Sequence, residues 1–412
     1  MIDAVVVGGG PGGSVCAARL ASRGRRVVVL ERERHPRFHL GESLLPNGLG
    51  VLEEIGVLDE VRARFLVKRG ARFVDAADGK AARYDFGEAF RAKWDHAFEV
   101  PRDAFDELLF RRAGACGAEL REGWTATRIV REDGRAVGVE AKGPDGATHA
   151  IEARVVVDAS GRDAMTAREA GDLERIAGLD KTALYTQVRG AWRDEGDRAG
   201  DIQIVVSMAD ERRWFWLIPF ADGRTSAGAV VSSRWIREHR GLGGPEALFD
   251  AALRETPAAE RMLDGAERLF APRATSDFSF HVRRAYGPGW VAVGDASGFL
   301  DPLFSTGAHL AMNGALRAAD VLDAALDDDA PAGAPGTPSE AAFARWDGEV
   351  RAGADLFLGA VQGFYDGELA DYIFHDPQHP FLRRAITSLL AGDVFDPDER
   401  WAGEIRRRFP PR

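Results

Sequence analysis

The first thirty residues of the chain alternate between apolar runs and a helical pattern. Residues 4–7 and 26–30 are short, mainly apolar runs of strand length, and residues 12–22 between them carry small and apolar side chains at helical spacing. A strand–helix–strand unit of this kind predicts parallel strands with the helix packed on the sheet. We therefore predict an α/β fold that begins with a parallel sheet.

The middle of the chain changes to strand patterns, and its end to helical patterns. The β-rich runs of the middle predict an antiparallel sheet and lie at residues 184–188, 202–207, 214–219 and 227–231. Residues 307–326 and 337–365 repeat their apolar positions with a helical period, and residues 327–336, DDDAPAGAPG, predict a linker between them. The predicted N-cap, first residue and capping-box acid of the second helix are Thr337, Pro338 and Glu340.

A glycine-rich turn joins the first predicted strand to the first predicted helix. Gly8, Gly10 and Gly13 match G-x-G-x-x-G, in which glycines allow a tight turn, close approach of a pyrophosphate and close helix–strand packing. The N-terminus of the following helix favours an anion. Glu31 ends the second strand, 18 residues after Gly13, where it is placed to hold a ribose hydroxyl. This context predicts a dinucleotide site, whose further contacts we assign to Pro11, Gly12, Ser14 and Arg32.

Two later strands end in small-residue turns that favour FAD over a nicotinamide dinucleotide. Residues 155–162 read VVVDASGR, and Asp158 and Gly161 follow that strand. Residues 290–296 read WVAVGDA, and their strand ends in Gly294 and Asp295. An acid at the carboxyl edge of a parallel sheet can meet a ribityl or ribose hydroxyl of the cofactor. We predict one FAD site formed by these segments together with the glycine-rich turn.

Composition argues against several classes of function. With 65 acidic and 54 basic residues the formal charge is −11, which argues against a general nucleic-acid binder. Two cysteines are too few for a disulfide framework or a multi-thiolate metal site, so we predict no metal and a cytoplasmic location. No apolar run is long enough to span a membrane, so we predict no membrane partner. The only lysines are Lys68, Lys80, Lys93, Lys142 and Lys181.

The order of these segments resembles the flavoprotein monooxygenases built on the p-hydroxybenzoate hydroxylase plan. Arg102, in VPRDAFD, matches an arginine that contacts the flavin in that group. The resemblance covers most of residues 1–325. Further motifs are similar to the flavin-dependent halogenases, and among them to the phenol- and pyrrole-halogenating branch: GESLLP at residues 41–46, Lys68 in KRGARF, WFWLIP at residues 214–219 and DPLFSTG at residues 301–307.

The resemblance implies a reaction and a role for each motif. Reduced FAD, oxygen and chloride or bromide yield hypohalous acid, and Lys68 hydrogen-bonds that species or forms a haloamine before an electron-rich ring takes the halogen. Lys68 is therefore the predicted catalytic residue, and the backbone of Thr306 and Gly307 at a helix N-terminus is predicted to hold the halide. Further predicted cofactor contacts are Gly41, Glu42, Ser43, Arg102, Pro302 and Gly307. The predicted walls of the substrate pocket are Trp214, Trp216 and Phe304.

Phe304 stands where halogenases of free tryptophan carry a glutamate directly before Ser-Thr-Gly. This departure predicts a phenol or pyrrole substrate, free or tethered to a carrier protein, with reduced FAD supplied by a separate flavin reductase. Two alternatives stay open: an FAD-dependent hydroxylase or isoprenoid-type reductase without halide chemistry, and a non-catalytic module that binds a flavin or a carrier protein. Lys68 and the Trp-x-Trp-x-Ile-Pro segment favour the halogenase, because FAD-dependent hydroxylases and isoprenoid-type reductases need not keep these residues.

The sequence thus predicts an α/β protein with three parts. These are a Rossmann-type, doubly wound parallel sheet that binds FAD, a β-rich substrate lobe and a C-terminal helical region. The predicted FAD-binding domain is discontinuous and comprises residues 1–75, 100–170 and 273–327. The predicted substrate lobe comprises residues 76–99 and 171–272, and the helical region residues 337–412.

Overall fold

The computed structural model describes residues 1–208, 213–276, 278–327, 340–375 and 377–412. Apart from Asp327, the predicted linker at residues 327–336 lies outside the described residues, and so do Thr337 and Pro338 of the predicted helix cap. The predicted helix that follows them is confirmed from Glu340 onward.

The strands, in chain order, are β1 Ile2–Val7, β2 Val27–Glu31, β3 Leu66–Lys68, β4 Gly70–Asp75, β5 Ala81–Asp85, β6 Ala97–Glu99, β7 Glu119–Glu122, β8 Thr125–Glu132, β9 Arg135–Lys142, β10 Thr148–Asp158, β11 Leu173–Arg175, β12 Lys181–Arg189, β13 Ile202–Val206, β14 Trp214–Pro219, β15 Arg224–Ser232, β16 Glu267–Arg268, β17 Arg273–Ser276, β18 Phe280–Val282, β19 Tyr286–Gly287, β20 Trp290–Ala292 and β21 Gly298–Phe299.

The α-helices, in chain order, are α1 Pro11–Ser22, α2 Leu49–Glu54, α3 Leu58–Arg64, α4 Arg102–Ala115, α5 Met165–Ala170, α6 Ser233–His239, α7 Pro245–Arg254, α8 Pro257–Met262, α9 Thr306–Leu326, α10 Glu340–Asp366, α11 Glu368–Phe374, α12 Pro380–Leu390 and α13 Glu399–Arg408.

The first sheet has the strand order β19-β20-β10-β1-β2-β7. β1 pairs in parallel with β2 and β10, and the parallel pairing continues to β7 on one side and to β20 on the other. β19 at the edge runs antiparallel to β20. The predicted strand–helix–strand unit and the predicted parallel sheet are therefore confirmed.

The central strands of this sheet are buried on both faces, but against different partners. Val6 and Val29 belong to a core that they share with α1, α4 and α9, whereas Val5 and Val28 pack with Ile129 of the antiparallel strands β8–β10. The alternation follows from the two-residue period of a strand. The predicted α/β class is confirmed, with one refinement. Strands cover the face on which a doubly wound sheet would carry its second layer of helices.

The second large sheet has the order β16-β12-β15-β14-β13-β4-β5, and β17 also pairs with β12. Its pairings are antiparallel, as predicted, except that β13 and β4 run parallel. The predicted domain division places Gly70–Asp75 in the cofactor domain, but this strand pairs in the second sheet. The reason is that Ala71 and Phe73 of β4 pair with Ile202 and Ile204 of β13, and the four side chains form one apolar face.

The C-terminal helices cover that face of the second sheet. Phe357 of α10 and Leu389 of α12 share one core with Trp214, Trp216 and Phe304. The long helix α9 connects the two halves, because it packs on α1 of the cofactor domain and on α10. Within the parts of the chain that the structure describes, no helix combines the length and the apolar character needed to cross a membrane.

Candidate active site

The glycine-rich turn lies at the carboxyl end of β1, where parallel sheets bind nucleotides. A Cβ on Gly13 would stand 2.0 Å from the carbonyl oxygen of Gly8, and Gly8 itself has a φ of +107°. Glu31 closes the turn from β2, because its Oε2 accepts from the backbone N–H of Gly9 at 2.8 Å and its Oε1 accepts from that of Glu33. The structure thus gives Glu31 a part in shaping the turn, and its contact with a ribose stays a prediction.

The N-terminus of α1 points into the open side of this turn. Gly10 is the N-cap, Pro11 is the first helical residue, and none of the side chains that the structure describes caps the helix. A Cβ on Gly10 would meet nothing nearer than the guanidinium of Arg37 at 3.6 Å, so space remains in front of the free backbone N–H groups. Ser14 donates its hydroxyl to the carbonyl of Gly9, which leaves this space lined by backbone. A pyrophosphate fits such a cradle of N–H groups with a cation beside it.

A buried arginine ties the next segment to α4. Arg102 donates to the two carboxylate oxygens of Asp106, at 2.6 and 3.0 Å, and to the carbonyl oxygens of Leu40 and Gly41. Arg37 donates to the same carboxylate at 3.2 Å. Arg102, which the resemblance predicts to contact the flavin, therefore also fixes the entry to the segment that carries Glu42 and Ser43.

Two acids near this cluster keep oxygens without partners. Burial raises the pKa of Asp295, opposed by the charge of Arg102, and within the described residues its carboxylate accepts no hydrogen bond. Glu42 accepts from Gln187 at 2.9 Å through Oε1, while its buried Oε2 has no hydrogen-bond partner among the described residues. Burial raises the pKa of Glu42 to about 7, and the side chains of Ser226 and Gln187 oppose that shift. Buried polar atoms are normally paired, so Oε2 of Glu42 fits a donor of a bound flavin nucleotide, and the partly exposed carboxylate of Asp295 is open to a hydroxyl of the same ligand.

Some predicted cofactor contacts are already engaged by the protein. Asp158 is buried and accepts from the backbone and hydroxyl groups of Ser160 and Thr166, at 2.6 to 3.1 Å. The exposed Arg32 pairs with Asp163 at 2.5 Å. These bonds stabilise the turn after β10, and direct contacts of Asp158, Arg32 and Gly161 with FAD stay predictions.

Lys68 is almost fully buried, with 1% of its surface exposed. It is the last residue of β3, and its ammonium group donates to the hydroxyl of Ser43 at 2.8 Å and to the carbonyl of Leu44 at 3.0 Å. The same nitrogen stands 5.2 Å from the centre of the Phe86 ring. Burial lowers the pKa of Lys68, and the carboxylates of Glu99 and Asp201 oppose that shift. These surroundings favour the neutral amine more than water does.

A narrow cavity joins Lys68 to the loop that begins α9. Its lining is mostly apolar and comprises Leu45, Lys68, Ala71, Phe86, Ile202, Ile204, Leu303, Phe304, Ser305 and Leu390. The predicted catalytic lysine and Phe304 therefore face one space, although 236 residues separate them in the chain. A more open groove beside Met1, Arg26 and Glu152 lies at the amino ends of β1 and β2, opposite to the cofactor turn, and is not the candidate site.

The loop before α9 has a strained backbone. Ser305 is the N-cap and adopts a left-handed conformation, with φ +57° and ψ +32°, which a residue with a Cβ rarely adopts. Thr306, the first helical residue, is buried, and within the described parts of the chain no side chain caps this 21-residue helix. Backbone strain of this kind persists where the surrounding structure enforces it, often at functional sites. The free N–H groups at this end are the predicted halide position.

Trp214 and Trp216 lie on one face of β14, as their spacing predicts, and Phe215 packs on the other. The ring centres of the two tryptophans are 5.9 Å apart. Trp214 donates from its indole nitrogen to the hydroxyl of Tyr365 at 3.0 Å, and Tyr365 donates to Asp301 at 3.1 Å. Both tryptophans share a core with Phe304 but do not line the cavity at Lys68, so their role as a pocket wall stays a prediction.

Comparisons with known proteins agree with this geometry. A protein-family model described as tryptophan halogenase matches residues 76–334, and a model of NAD(P)-binding Rossmann-like domains matches residues 6–52. A flavin-dependent halogenase of Armillaria mellea is 31% identical over 408 residues, which cover 94% of this chain and 79% of that protein. The chain belongs to the flavin-dependent halogenases. It is thus an oxidoreductase that uses FAD, and the halogenase prediction is confirmed over the hydroxylase, reductase and non-catalytic alternatives.

Two further relatives match nearly the whole halogenase chain. A 1H-pyrrole-2-carbonyl peptidyl-carrier-protein brominase of Pseudoalteromonas luteoviolacea is 29% identical over 399 residues, which cover 96% of this chain and 92% of that protein. The solved structure of the flavin-dependent brominase Bmp2 superposes with a TM-score of 0.87 at 25% identity and covers 98% of this chain and 97% of its own. These matches include the C-terminal helices, so the helical region is part of the shared architecture.

The structure adds residues to the halogenase site that the sequence analysis missed. Tyr365 and Asp301 link β14 to the loop before α9, and burial raises the pKa of Asp301 to about 6. Glu99 lies beside Lys68 with no exposed surface. The sequence offers one weak signal for Glu99, which is its position directly before the VPRDAFD motif. In every other respect Glu99 resembles the many other acidic residues of the chain.

Replacement of Tyr365 by phenylalanine is expected to destabilise the halogenase. The change leaves the buried indole nitrogen of Trp214 without its acceptor and Oδ2 of Asp301 without its donor, whereas Oδ1 still accepts from the backbone N–H of Leu303. Each lost partner of a buried group costs about 1–3 kcal/mol. Urea unfolding of the purified variants measures the effect. Tyr372→Phe is the matched control, since the Tyr372 hydroxyl donates to the exposed backbone carbonyl of His379, which water can satisfy. An equal loss in both variants would contradict the proposed linking role of Tyr365.

Proposed function

We propose that this halogenase transfers a halogen from Lys68 to an electron-rich aromatic ring, a phenol or a pyrrole, presented as a thioester on a carrier protein. The observation that carries the proposal is the buried amine of Lys68, which lines one apolar cavity together with the loop before α9. Reduced FAD, once bound, supplies the oxidising chemistry that converts halide and oxygen into hypohalous acid.

Lys68 is suited to receive the halogen because it can lose its proton. A neutral amine attacks hypohalous acid: the N–halogen bond forms, the halogen–oxygen bond breaks, and the amine proton leaves with hydroxide as water. An arginine could donate hydrogen bonds here but could hardly be deprotonated. The narrow apolar cavity keeps other nucleophiles and bulk water away from the reactive nitrogen, which protects the halogen until the ring arrives.

The halide and the ring are assigned to the two ends of the cavity. The N-terminus of α9, with the backbone of Thr306 and Gly307, offers partial positive charge and N–H groups for an anion. Phe304 places an apolar ring, buried at 2% exposure, where a carboxylate would repel that anion. The apolar and aromatic side chains around the cavity are of the kind that packs against a phenol or pyrrole ring. The pyrrole-carrier brominase that matches nearly the whole chain supports a tethered substrate.

A comparison of free and tethered substrates tests this function. The purified protein receives FAD, a flavin reductase with its nicotinamide cofactor, oxygen and either chloride or bromide. We expect mass spectrometry to detect halogenated ring on pyrrole-2-carbonyl or hydroxybenzoyl carrier thioesters, at rates at least tenfold above those of the free acids. Halogenated product from the free acids alone would contradict the carrier proposal. Hydroxylated product that never contains halogen would contradict the proposed reaction.

A further inference from the structure

Glu99 is a buried acid that the proposed reaction has not yet used. It is the last residue of β6, has no exposed surface, and finds no hydrogen-bond partner for either carboxylate oxygen among the residues that the structure describes. Burying a carboxylate without partners is costly, so such a group is normally protonated, paired or functional. Burial raises the pKa of Glu99 to about 8, while the charge of Lys68 acts to lower it.

The strand pairing brings Glu99, Lys68 and Ser43 onto one face. β3 and β6 run antiparallel, with Lys68 opposite Ala97 and Leu66 opposite Glu99, so Lys68 and Glu99 are diagonal neighbours on the same side. Ser43 forms a β-bridge with Glu99 from the other edge of β6. Its hydroxyl accepts from Lys68, and its bridge to Glu99 brings it close to that acid as well.

The Ser43 hydroxyl can connect these groups. It accepts from the ammonium group of Lys68 at 2.8 Å, and within the described residues it donates to no other acceptor. It is also close enough to Glu99 to lower the pKa of that carboxyl, although the contact falls short of hydrogen-bond geometry. A small approach of this hydroxyl to Glu99 would complete a path on which a proton passes from Lys68 to the hydroxyl while the hydroxyl proton passes to Glu99.

The other acidic side chains near Lys68 and Glu99 already accept hydrogen bonds from the protein. Asp201 accepts from the backbone N–H groups of Arg69 and Gly70 and from the side chain of Arg83 at 2.6 Å. Glu42 accepts a hydrogen bond from Gln187, and its charge acts on Glu99 by raising the pKa of the Glu99 carboxyl. Glu99 is the buried carboxyl with both oxygens free, among the residues that the structure describes.

We propose that Glu99 holds the proton of Lys68 during halogen transfer and exchanges it through the hydroxyl of Ser43. The inference rests on the proposed role of Lys68. First, the ammonium of Lys68 passes a proton to the Glu99 carboxylate, and the resulting amine reacts with hypohalous acid to give a haloamine and water. Glu99 then returns the proton to the haloamine nitrogen. The ring carbon takes the halogen, the N–halogen bond breaks and leaves the neutral amine, and this amine accepts the proton of the ring.

The cycle balances without any further reactant. The sum is an aromatic C–H and hypohalous acid giving an aromatic C–halogen bond and water, with Lys68 again charged and Glu99 again ionised. A stored proton matters because a neutral amine is a far better leaving group than an amide anion. Proton transfer by a positioned group is worth about 100- to 10,000-fold in rate.

Glu99→Gln is the central test, because it keeps the shape of the side chain and removes the proton site. We expect halogenation of the substrate to fall about 100-fold, while the rate of flavin reoxidation is unchanged. The pH profile of halogenation should lose the step that belongs to the Lys68–Glu99 pair. Glu99→Asp keeps a carboxyl group and should recover part of the rate and of the pH step, which a merely structural role of Glu99 would not predict.

The small number of lysines allows a direct measurement without activity. With lysine labelled by ¹³C at the ε carbon, five side chains give resonances, and Lys68→Arg identifies that of Lys68. We expect the pKa of Lys68 to fall by at least one unit in Glu99→Gln, because the carboxylate that stabilises the ammonium is gone. The resonance of Lys181, which is also buried but not beside Glu99, is the internal control and should not move.

The outcomes separate this inference from the proposed function. If Lys68→Ala halogenates as fast as the parent protein, both are overturned. If Lys68→Ala is inactive but Glu99→Gln keeps the parent rate, pH profile and Lys68 titration, only the role of Glu99 is overturned. If Glu99→Gln does not fold, Glu99→Asp decides by the same two measurements, and a parent-like Lys68 pKa together with partial activity is the supporting result.

Discussion

Lys68→Ala is expected to abolish halogenation of the ring, with a loss of about 100- to 10,000-fold, while flavin reduction and reoxidation continue. The reason is that Lys68 lies in the apolar cavity, whereas the glycine-rich turn and the Arg102 cluster do not depend on its side chain. Hypohalous acid should then leave the enzyme unused. Halogenation of a small trap molecule in solution, measured beside carrier-bound product, should therefore persist as product disappears.

Two further lysine variants show whether the loss is specific. Lys68→Arg keeps a positive charge but cannot readily form a neutral nucleophile, so it should be as inactive as Lys68→Ala. Lys93→Ala is the matched control. Lys93 is exposed, pairs with Glu53 at 3.5 Å, and should be replaceable without effect on product formation. Parent-like activity in Lys68→Ala, or an equal loss in Lys93→Ala, would contradict the assigned role of Lys68.

Local signals in the sequence were sufficient for much of the fold. The apolar runs and glycines of the first thirty residues predict β1, α1 and β2 to within one or two residues, because sequence-adjacent elements of a strand–helix–strand unit pack on each other. The helix predicted at residues 307–326 is α9, which begins one residue earlier and ends where predicted. One face of the first sheet is covered by the strands β8–β10. This covering was not predictable from local signals, because it depends on which distant strands pair.

Dependence on long-range pairing also explains which residues of the site could be predicted and which could not. Lys68 could be found because lysine is rare in this chain and stands in a motif. Glu99 could not be found in this way. Its position beside Lys68 depends on the pairing of β3 with β6 and on burial, and neither can be recognised from a single acidic residue in the sequence. Tyr365 likewise reaches Trp214 only through the packing of α10 on the second sheet. Residues that act through long-range packing are therefore the ones that sequence reasoning misses.

The glycines of the first turn are expected to fail in two different ways when replaced by alanine. In Gly13→Ala, the new Cβ meets the carbonyl oxygen of Gly8 at 2.0 Å, and both atoms belong to the rigid junction of β1 and α1. The protein without FAD should lose about 1–3 kcal/mol of unfolding free energy, the usual cost of overpacking. It should also lose FAD binding, because the turn that forms the cradle is displaced.

Gly10→Ala is the matched comparison, because the protein itself tolerates the new methyl group. Its nearest heavy atom would be the Arg37 guanidinium at 3.6 Å, so the unfolding free energy without FAD should stay within about 1 kcal/mol of the parent. The methyl group occupies the space assigned to the pyrophosphate, and the variant should therefore show no stabilisation when FAD is added, whereas the parent should gain stability in proportion to the logarithm of FAD concentration. Full stabilisation of Gly10→Ala by FAD would place the pyrophosphate elsewhere, and an unchanged unfolding free energy in Gly13→Ala would mean that the junction of β1 and α1 can relax.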